Sequence, residues 1–173
     1  MPAAKIEVFI PAGRIAERVA ELGAQINADY AGQSVVVVGV LKGSFMFMAD
    51  LVRHLIIPVR LDFMGTKSYV GTTSSGQVQI TKDLDKPVEG EHVLLVEDII
   101  DTGLTLSYLR RNLEQRRPLS LKTIAFLDKP SQRKVEIHAD YVGFEIENRF
   151  VIGYGLDFEQ QYRQLRDLCV LAG

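Results

Sequence analysis

Two uninterrupted apolar runs constrain this chain most: Val35-Val36-Val37-Val38 and Val93-Leu94-Leu95-Val96. A strand with no polar face must be covered on both sides, which is the situation inside a parallel sheet. Each run is followed by a short polar turn and then by a helical pattern. After the first comes Gly39-Val40-Leu41-Lys42-Gly43-Ser44 and a helix predicted over 45–55. After the second come Glu97-Asp98-Ile99-Ile100-Asp101-Thr102-Gly103 and a helix predicted over 104–113. In open α/β sheets such turns, at the carboxyl ends of strands, form the ligand crevice. Thr102-Gly103-Leu104-Thr105 offers backbone N–H groups, hydroxyls and a helix N-terminus, which together suit a phosphate. Glu97, Asp98 and Asp101 beside it suit a hydroxyl-rich, cation-bearing or proton-donating group, so the stretch asks for a phosphorylated sugar. Lys42-Gly43-Ser44 lacks the glycine spacing of a Walker loop, and a plain turn between strand and helix accounts for it equally well.

The remaining chain extends the same alternation. Ile15, Val19, Leu22, Ile26 and Tyr30 recur at helical spacing through 14–31, with Gly32 as a stop. Residues 59–69 and 78–82 read as strands. The small polar segment Gly71-Thr72-Thr73-Ser74-Ser75-Gly76 between them reads either as a hairpin loop or as a mobile lid over about 68–80. Further strands are predicted over 121–127, 141–146, 150–152 and 168–171, with a helical turn over 162–165. Alternating strands and helices imply an α/β fold with a mostly parallel central sheet.

A length of 173 residues fits one domain, 1–173, with a substantial core. A net charge of −2 gives no reason to expect nucleic acid or an anionic membrane surface as partner. No apolar stretch is long enough for a membrane span. Residues 1–10 lack a basic start followed by a long apolar run, so no signal peptide is expected. The single cysteine, Cys169, excludes an internal disulfide, fits a cytoplasmic protein and reads as a core residue.

Polar residues collect at several strand ends: Lys42-Gly43, Glu97-Asp98 with Asp101, Asp128-Lys129, and Asp157. If these strands are parallel neighbours, two lysines and at least four carboxylates surround one cleft. Carboxylates without nitrogen or sulfur ligands nearby favour a hard cation such as Mg²⁺, held partly by water and phosphate oxygens. His54, His92 and His138 show no metal-ligand spacing. Asp157 and Glu97 each have a plainer reading, as a turn cap and an exposed strand end. For the adjacent acids Glu97-Asp98 the plain reading is weak, because like charges after a buried strand need partners.

Val96-Glu97-Asp98-Ile99-Ile100-Asp101-Thr102-Gly103-Leu104-Thr105 resembles the phosphoribosyl-pyrophosphate (PRPP) signature of the type I phosphoribosyltransferases. Leu41-Lys42-Gly43-Ser44, Ser68-Tyr69, Asp128-Lys129-Pro130, Tyr141-Val142-Gly143-Phe144-Glu145-Ile146 and Phe150-Val151-Ile152-Gly153-Tyr154-Gly155-Leu156-Asp157 are similar to its 6-oxopurine branch, in bacterial form. The resemblance runs in collinear order over nearly the whole chain. It implies a Rossmann-like sheet flanked by helices, with a small hood formed by the N- and C-terminal segments. It implies purine salvage, in which the phosphoribosyl group of PRPP passes to hypoxanthine or guanine, giving IMP or GMP and pyrophosphate. It further implies a homodimer or homotetramer.

The same resemblance assigns roles. Asp101, Thr102, Gly103, Leu104 and Thr105 would hold the 5′-phosphate, with Asp101 as general base. Where this chain has Leu104 some relatives carry lysine, which leaves one charge fewer near the phosphate. Glu97 and Asp98 would take the ribose hydroxyls, directly or through Mg²⁺. Lys42-Gly43, whose peptide bond is often cis in the family, would bind pyrophosphate with Arg163. Lys129 would donate to O6 of the base, Phe150 would stack on its ring, and the Val151 backbone would read its edge. Asp157 would sit beside the base and near a Mg²⁺ on the pyrophosphate. Ser68 and Tyr69 would belong to a closing loop. Rival readings are a xanthine–guanine or adenine enzyme, an RNA-binding regulator on the same fold, and a nucleotide-binding module without catalysis. Lys129 argues against adenine, and the net charge argues against RNA.

Overall fold

The computed structural model describes residues 5–71 and 74–172, the side chains of 69–77 excepted. A six-stranded sheet forms its centre. The strands are β2 (Val35–Leu41), β3 (Val59–Gly71), β4 (Ser74–Lys82), β5 (His92–Ile100), β6 (Ser120–Asp128) and β7 (Tyr141–Glu145), in the order β4-β3-β2-β5-β6-β7. All neighbours pair in parallel except β4, which is antiparallel to β3 at one edge.

The apolar runs are buried on both faces, as their composition requires. Val35 and Val37 pack with Leu94 and Val96 against helices α1 (Ala12–Asp29) and α2 (Phe45–Val52). Val36 and Val38 face the other way, with Val93 and Leu95, onto Leu106, Leu109 and Leu113 of α3 (Leu104–Glu114). Because side chains alternate along a strand, one continuous run serves two cores. Chain order reverses direction at β2, with β3 on one side and β5 on the other, so the switch point lies between β2 and β5.

A second, three-stranded sheet joins the chain ends in the order β1-β9-β8: β1 (Lys5–Ile10), β9 (Leu168–Ala172) and β8 (Val151–Ile152). The strand pattern of Lys5–Ile10 escapes a chain-order reading, because its partner in β9 lies at the far end of the sequence. The same segment caps α1. Pro11 at the N-cap has no side-chain acceptor, and the Ala12 N–H donates instead to Asp167 Oδ1 at 2.7 Å. Gly32 takes φ +76° just past α1, the left-handed stop that a glycine there predicts.

Three local expectations change. The residues read as a loop around 71–76 are mostly paired strand, with Ser68 opposite Val78, Tyr69 opposite Gln77 and Gly71 opposite Ser74. Serine and threonine tolerate extended backbone, and cross-strand hydrogen bonds complete it. Thr72 and Thr73 lie outside the described residues. The expected helical turn over 162–165 is a hydrogen-bonded turn, Leu165 N–H to Tyr162 C=O at 3.2 Å, with Tyr162 at φ +76°. Strand β5 also continues past Glu97, where the sequence pattern suggested an end: Ile99 pairs with Leu127 and Ile100 with Asp128. Cys169 is a buried thiol in β9, and burial pushes its pKa up.

Candidate active site

The continuation of β5 explains the cleft. On the β2 side pairing stops at Gly39 and Val96, while on the β6 side it runs on to Ile100. Beyond Val96, β5 therefore has one free edge, and Glu97 and Asp98 stand where the sheet opens at its switch point. A cleft of about 450 Å³ forms there. Among its lining residues are Lys42, Gly43, Thr66, Ser68, Glu97, Asp98, Asp101, Thr102, Gly103, Thr105, Asp157 and Arg163.

Glu97 is 5% exposed, and its Oε1 is buried with no hydrogen-bond partner among the described residues. Burial, then the negative charge of Asp98, pushes its carboxyl well above the usual range. Asp98 is raised too, by burial first and also by Asp157, against the lowering effects of the Ile99 N–H and the Arg163 charge. Its Oδ1 accepts that N–H at 2.7 Å. Two carboxyls held up by desolvation are suited to a ligand that brings hydroxyl donors or positive charge.

Beyond them the chain turns. Gly103 takes φ +85° at the N-cap of α3, and a Cβ there would lie 2.6 Å from Ile137 Cγ2, so glycine is required twice over. Thr102 Oγ1 accepts the Leu104 N–H at 3.3 Å. The first-turn N–H groups of α3 have no preceding helical carbonyls and open onto the cleft floor. Asp101 is exposed at the mouth of the cleft, and its side chain is free to meet a ligand.

The opposite wall is assembled from distant segments. Lys42 Nζ lies 3.4 Å from Gln160 Oε1, across 118 residues of sequence. Arg163 donates to Gly155 C=O at 2.7 Å and to Gln160 Oε1 at 3.0 Å, and it pairs with Asp157 at 3.3 Å. Asp157 also accepts the Gln160 N–H at 2.9 Å, so it caps a turn as well as facing the cleft. That turn, Phe158–Gln161, has two positive-φ residues, Glu159 and Gln160, as a tight hairpin turn demands. A Cβ on Gly155 would stand 2.3 Å from Gly43 C=O, and one on Gly43 would stand 1.8 Å from Asp98 Oδ2. Bare backbone brings the three segments together. The cis peptide is Leu41–Lys42, one bond before the Lys42–Gly43 bond that the resemblance named. The two bonds are adjacent where β2 ends and the turn before α2 begins.

Four expected residues, Leu104, Lys129, Phe150 and Val151, are not among the described residues that line this cleft. Leu104 opens α3, and its N–H is turned to Thr102 Oγ1. The Tyr69 side chain lies outside the described residues. Lys129 lies beyond β6, only 6% exposed, with no ion pair among the described residues, and its N–H donates to Ile100 C=O at 2.9 Å. Phe150 is 57% exposed and meets Phe158 edge-on at 5.7 Å, leaving a ring face for stacking. Val151 is buried in β8. Sequence reasoning missed Thr66, Gln160 and Arg133. Thr66 lies inside β3, one residue past its parallel pairing with β2, and none of the three carries a sequence signal.

Among the described residues no three of His, Cys, Asp and Glu gather closely enough to form a protein-only metal cage. The orphaned Glu97 Oε1 beside Asp98 fits a hard cation that takes most of its ligands from water and phosphate oxygens.

This geometry defines an α/β protein with a polar, carboxylate-lined cleft at its sheet switch point, and comparison with known proteins gives its family. Residues 11–159 match the phosphoribosyl transferase domain. The chain is 51% identical over 164 residues to the hypoxanthine phosphoribosyltransferase of Haemophilus influenzae, covering 92% of each chain. It is 48% identical over 166 residues to the hypoxanthine-guanine phosphoribosyltransferase of Bacillus subtilis, covering 95% of this chain and 92% of that one. A crystal structure of a Bacillus anthracis hypoxanthine-guanine phosphoribosyltransferase, with a HEPES molecule in its active site, superposes with TM-score 0.93 at 42% identity, covering 98% and 99% of the two chains. The chain belongs to the phosphoribosyl transferase family and has the type I fold.

Proposed function

We propose that this protein is a purine-salvage transferase that moves the 5-phosphoribosyl group of PRPP onto hypoxanthine and guanine. The observation that carries the reading is Lys129, a buried lysine tied through Ile100 C=O to the strand that bears Glu97 and Asp98. An ammonium held there recognises an oxo group at C6 of a purine, and an amino group in its place would leave it unmatched.

In the forward reaction the bond from the anomeric carbon to pyrophosphate breaks, and its electron pair leaves with pyrophosphate. Nitrogen N9 of the base forms the new bond, and the proton on N7 passes to Asp101. The exposed carboxylate of Asp101 is free to take that proton, a step worth ~10²–10⁴-fold in this kind of catalysis. Lys42, Arg163 and the Gly43 backbone hold the leaving pyrophosphate, and fixed positive charge there stabilises the oxygens as they gain charge. Thr102, Gly103, Leu104 and Thr105 grip the 5′-phosphate. Glu97 and Asp98 hold the ribose hydroxyls. Phe150 stacks on the base, and the Val151 backbone with Asp157 reads its edge. Glu97, Asp98 and Asp157 are the residues that would hold Mg²⁺, which when bound supplies charge neutralisation on pyrophosphate.

The small sheet made by the chain ends serves as a hood, and the β3–β4 hairpin over 68–80, with Ser68 facing the cleft, closes over the reacting groups to keep water from PRPP. Family membership supports a homodimer or homotetramer, and the free thiol of Cys169 supports a reducing, cytoplasmic setting. Among the described residues no helix is long and apolar enough to cross a membrane.

Pyrophosphate release should be measured with PRPP, Mg²⁺ and each of hypoxanthine, guanine, xanthine and adenine separately. Release with hypoxanthine and guanine is expected. Release with xanthine but not hypoxanthine would transfer the reading to a xanthine–guanine enzyme, and no release with any base would reduce the protein to a binding module.

A further inference from the structure

Arg133 lies outside the cleft, yet its guanidinium joins the two halves of the site. Its side chain is only 14% exposed. The two N–H groups of Nη1 reach three carbonyls, one N–H being shared: Ile100 at 3.3 Å, Asp101 at 3.0 Å and Lys129 at 3.4 Å. Nε donates to Ile137 C=O at 3.1 Å, and Nη2 is paired with Asp128. The neighbouring backbone repeats the link, with Lys134 N–H to Thr102 C=O at 2.9 Å. A Cβ on Gly103 would stand 3.2 Å from Arg133 Cδ, so the arginine stem also packs under the turn that opens α3.

Three carbonyl oxygens from two segments converge on one nitrogen, and such dipoles need a fixed cation between them. A planar fork of five donors, held by a carboxylate at its other end, supplies this in a way a lysine ammonium does not. From this convergence we infer that Arg133 is a positioning residue. It locks the turn that carries Asp101 to the segment that carries Lys129, and so sets the distance between the proton acceptor and the group that reads the base. The inference rests on the roles proposed for Asp101 and Lys129. Asp128 anchors the fork, and the 3₁₀ turn Pro130–Gln132 brings Arg133 back beneath Lys129.

The test is a double-mutant cycle on the full-length protein. Arg133→Lys keeps the charge and loses the fork. It should lower kcat/KM for hypoxanthine by about 10–100-fold, the scale of a misplacement of about 1 Å at a reacting centre. The apparent affinity for PRPP alone, read by its thermal shift, should change by less than about threefold, because the lysine stem still packs under Gly103 and the Lys134 N–H still holds Thr102 C=O. In a Lys129→Gln background the same exchange should cost less than about threefold, since the group being positioned is already gone. Full activity in Arg133→Lys, or an equal loss in both backgrounds, would overturn the inference. If Arg133→Lys does not fold, Asp128→Asn, which releases the anchor, takes its place in the cycle with the same two readouts and a smaller expected loss. Failure of the functional reading looks different, because the unmutated protein would then release no pyrophosphate with any purine.

Discussion

From Glu97 to Thr105 one wall of the cleft is a single unbroken piece of chain, whereas the opposite wall sets Lys42 and Gly43 against Asp157, Gln160 and Arg163. The first wall is local. A strand, a left-handed glycine and a helix N-terminus follow one another, and nearly every ligand-facing group is near its neighbours in sequence. The second wall exists only because the C-terminal segment folds back over the turn after β2, where the Gly43 carbonyl leaves no room for a Cβ at Gly155. A contiguous wall suits the part of the substrate that stays with the enzyme through the reaction, the ribose 5-phosphate. An assembled wall suits groups that enter and leave, because its parts can separate without unmaking a secondary-structure element.

That division breaks if substitutions on the two walls give the same kinetic pattern. The largest effect is expected for Asp101→Asn on the contiguous wall, a fall in kcat of about 10²–10⁴-fold with much less change in PRPP affinity. Equal losses in kcat and in binding would remove the general-base role. Lys129→Gln should raise KM for hypoxanthine by about 10–100-fold, the cost of losing a charged donor to a buried acceptor. It should leave KM for PRPP within about twofold, as steady-state kinetics varying each substrate will show. Gly155→Ala places a Cβ at φ +99° against Gly43 C=O, and should destabilise the protein by about 1–3 kcal/mol. In the reverse reaction it should raise KM for pyrophosphate more than KM for IMP. A change confined to IMP would contradict the assignment of that wall to the leaving group.

The smallest effect is one of stability. Because the Glu97 carboxyl is raised in the folded protein, the unfolded chain ionises it more easily. Its favourable contribution is complete below the ordinary glutamate range and is lost as pH rises through the raised value. Glu97→Gln should therefore raise Tm of the ligand-free protein at pH 8 and change it little at pH 4, while weakening PRPP binding. Thermal melts at both pH values check the sign, and a lower Tm at pH 8 would show that Glu97 is stabilised, not strained, by its surroundings.

The contiguous wall was legible because each of its signals is short-ranged: four apolar residues for a buried strand, a glycine for the left-handed turn, hydroxyls flanking a helix start. Even there β5 ran longer than its polarity suggested, since Glu97 and Asp98 lie in strand conformation with ladder bonds on one side only. On the assembled wall, Lys42 and Asp157 stand out as polar strand ends and Arg163 follows from the resemblance, but Gln160, which links Lys42 to Arg163, carries no such signal. A glutamine in a turn has no pattern of its own. Arg133 was likewise invisible, because its significance lies in which carbonyls converge on it. The same holds for β1, whose partner strand is at the opposite end of the chain.

By itself the sequence determined the α/β architecture, the buried central strands, the glycine turn and helix start after β5 and the family, because periodicity and motif are properties of neighbouring residues. Only the tertiary structure decided where β5 loses a neighbour and opens the cleft, how the two chain ends pair, and that Arg133 holds Asp101 and Lys129 in one frame. Those are distances between segments far apart in the chain, set by sheet order and by which backbones pack without a side chain between them.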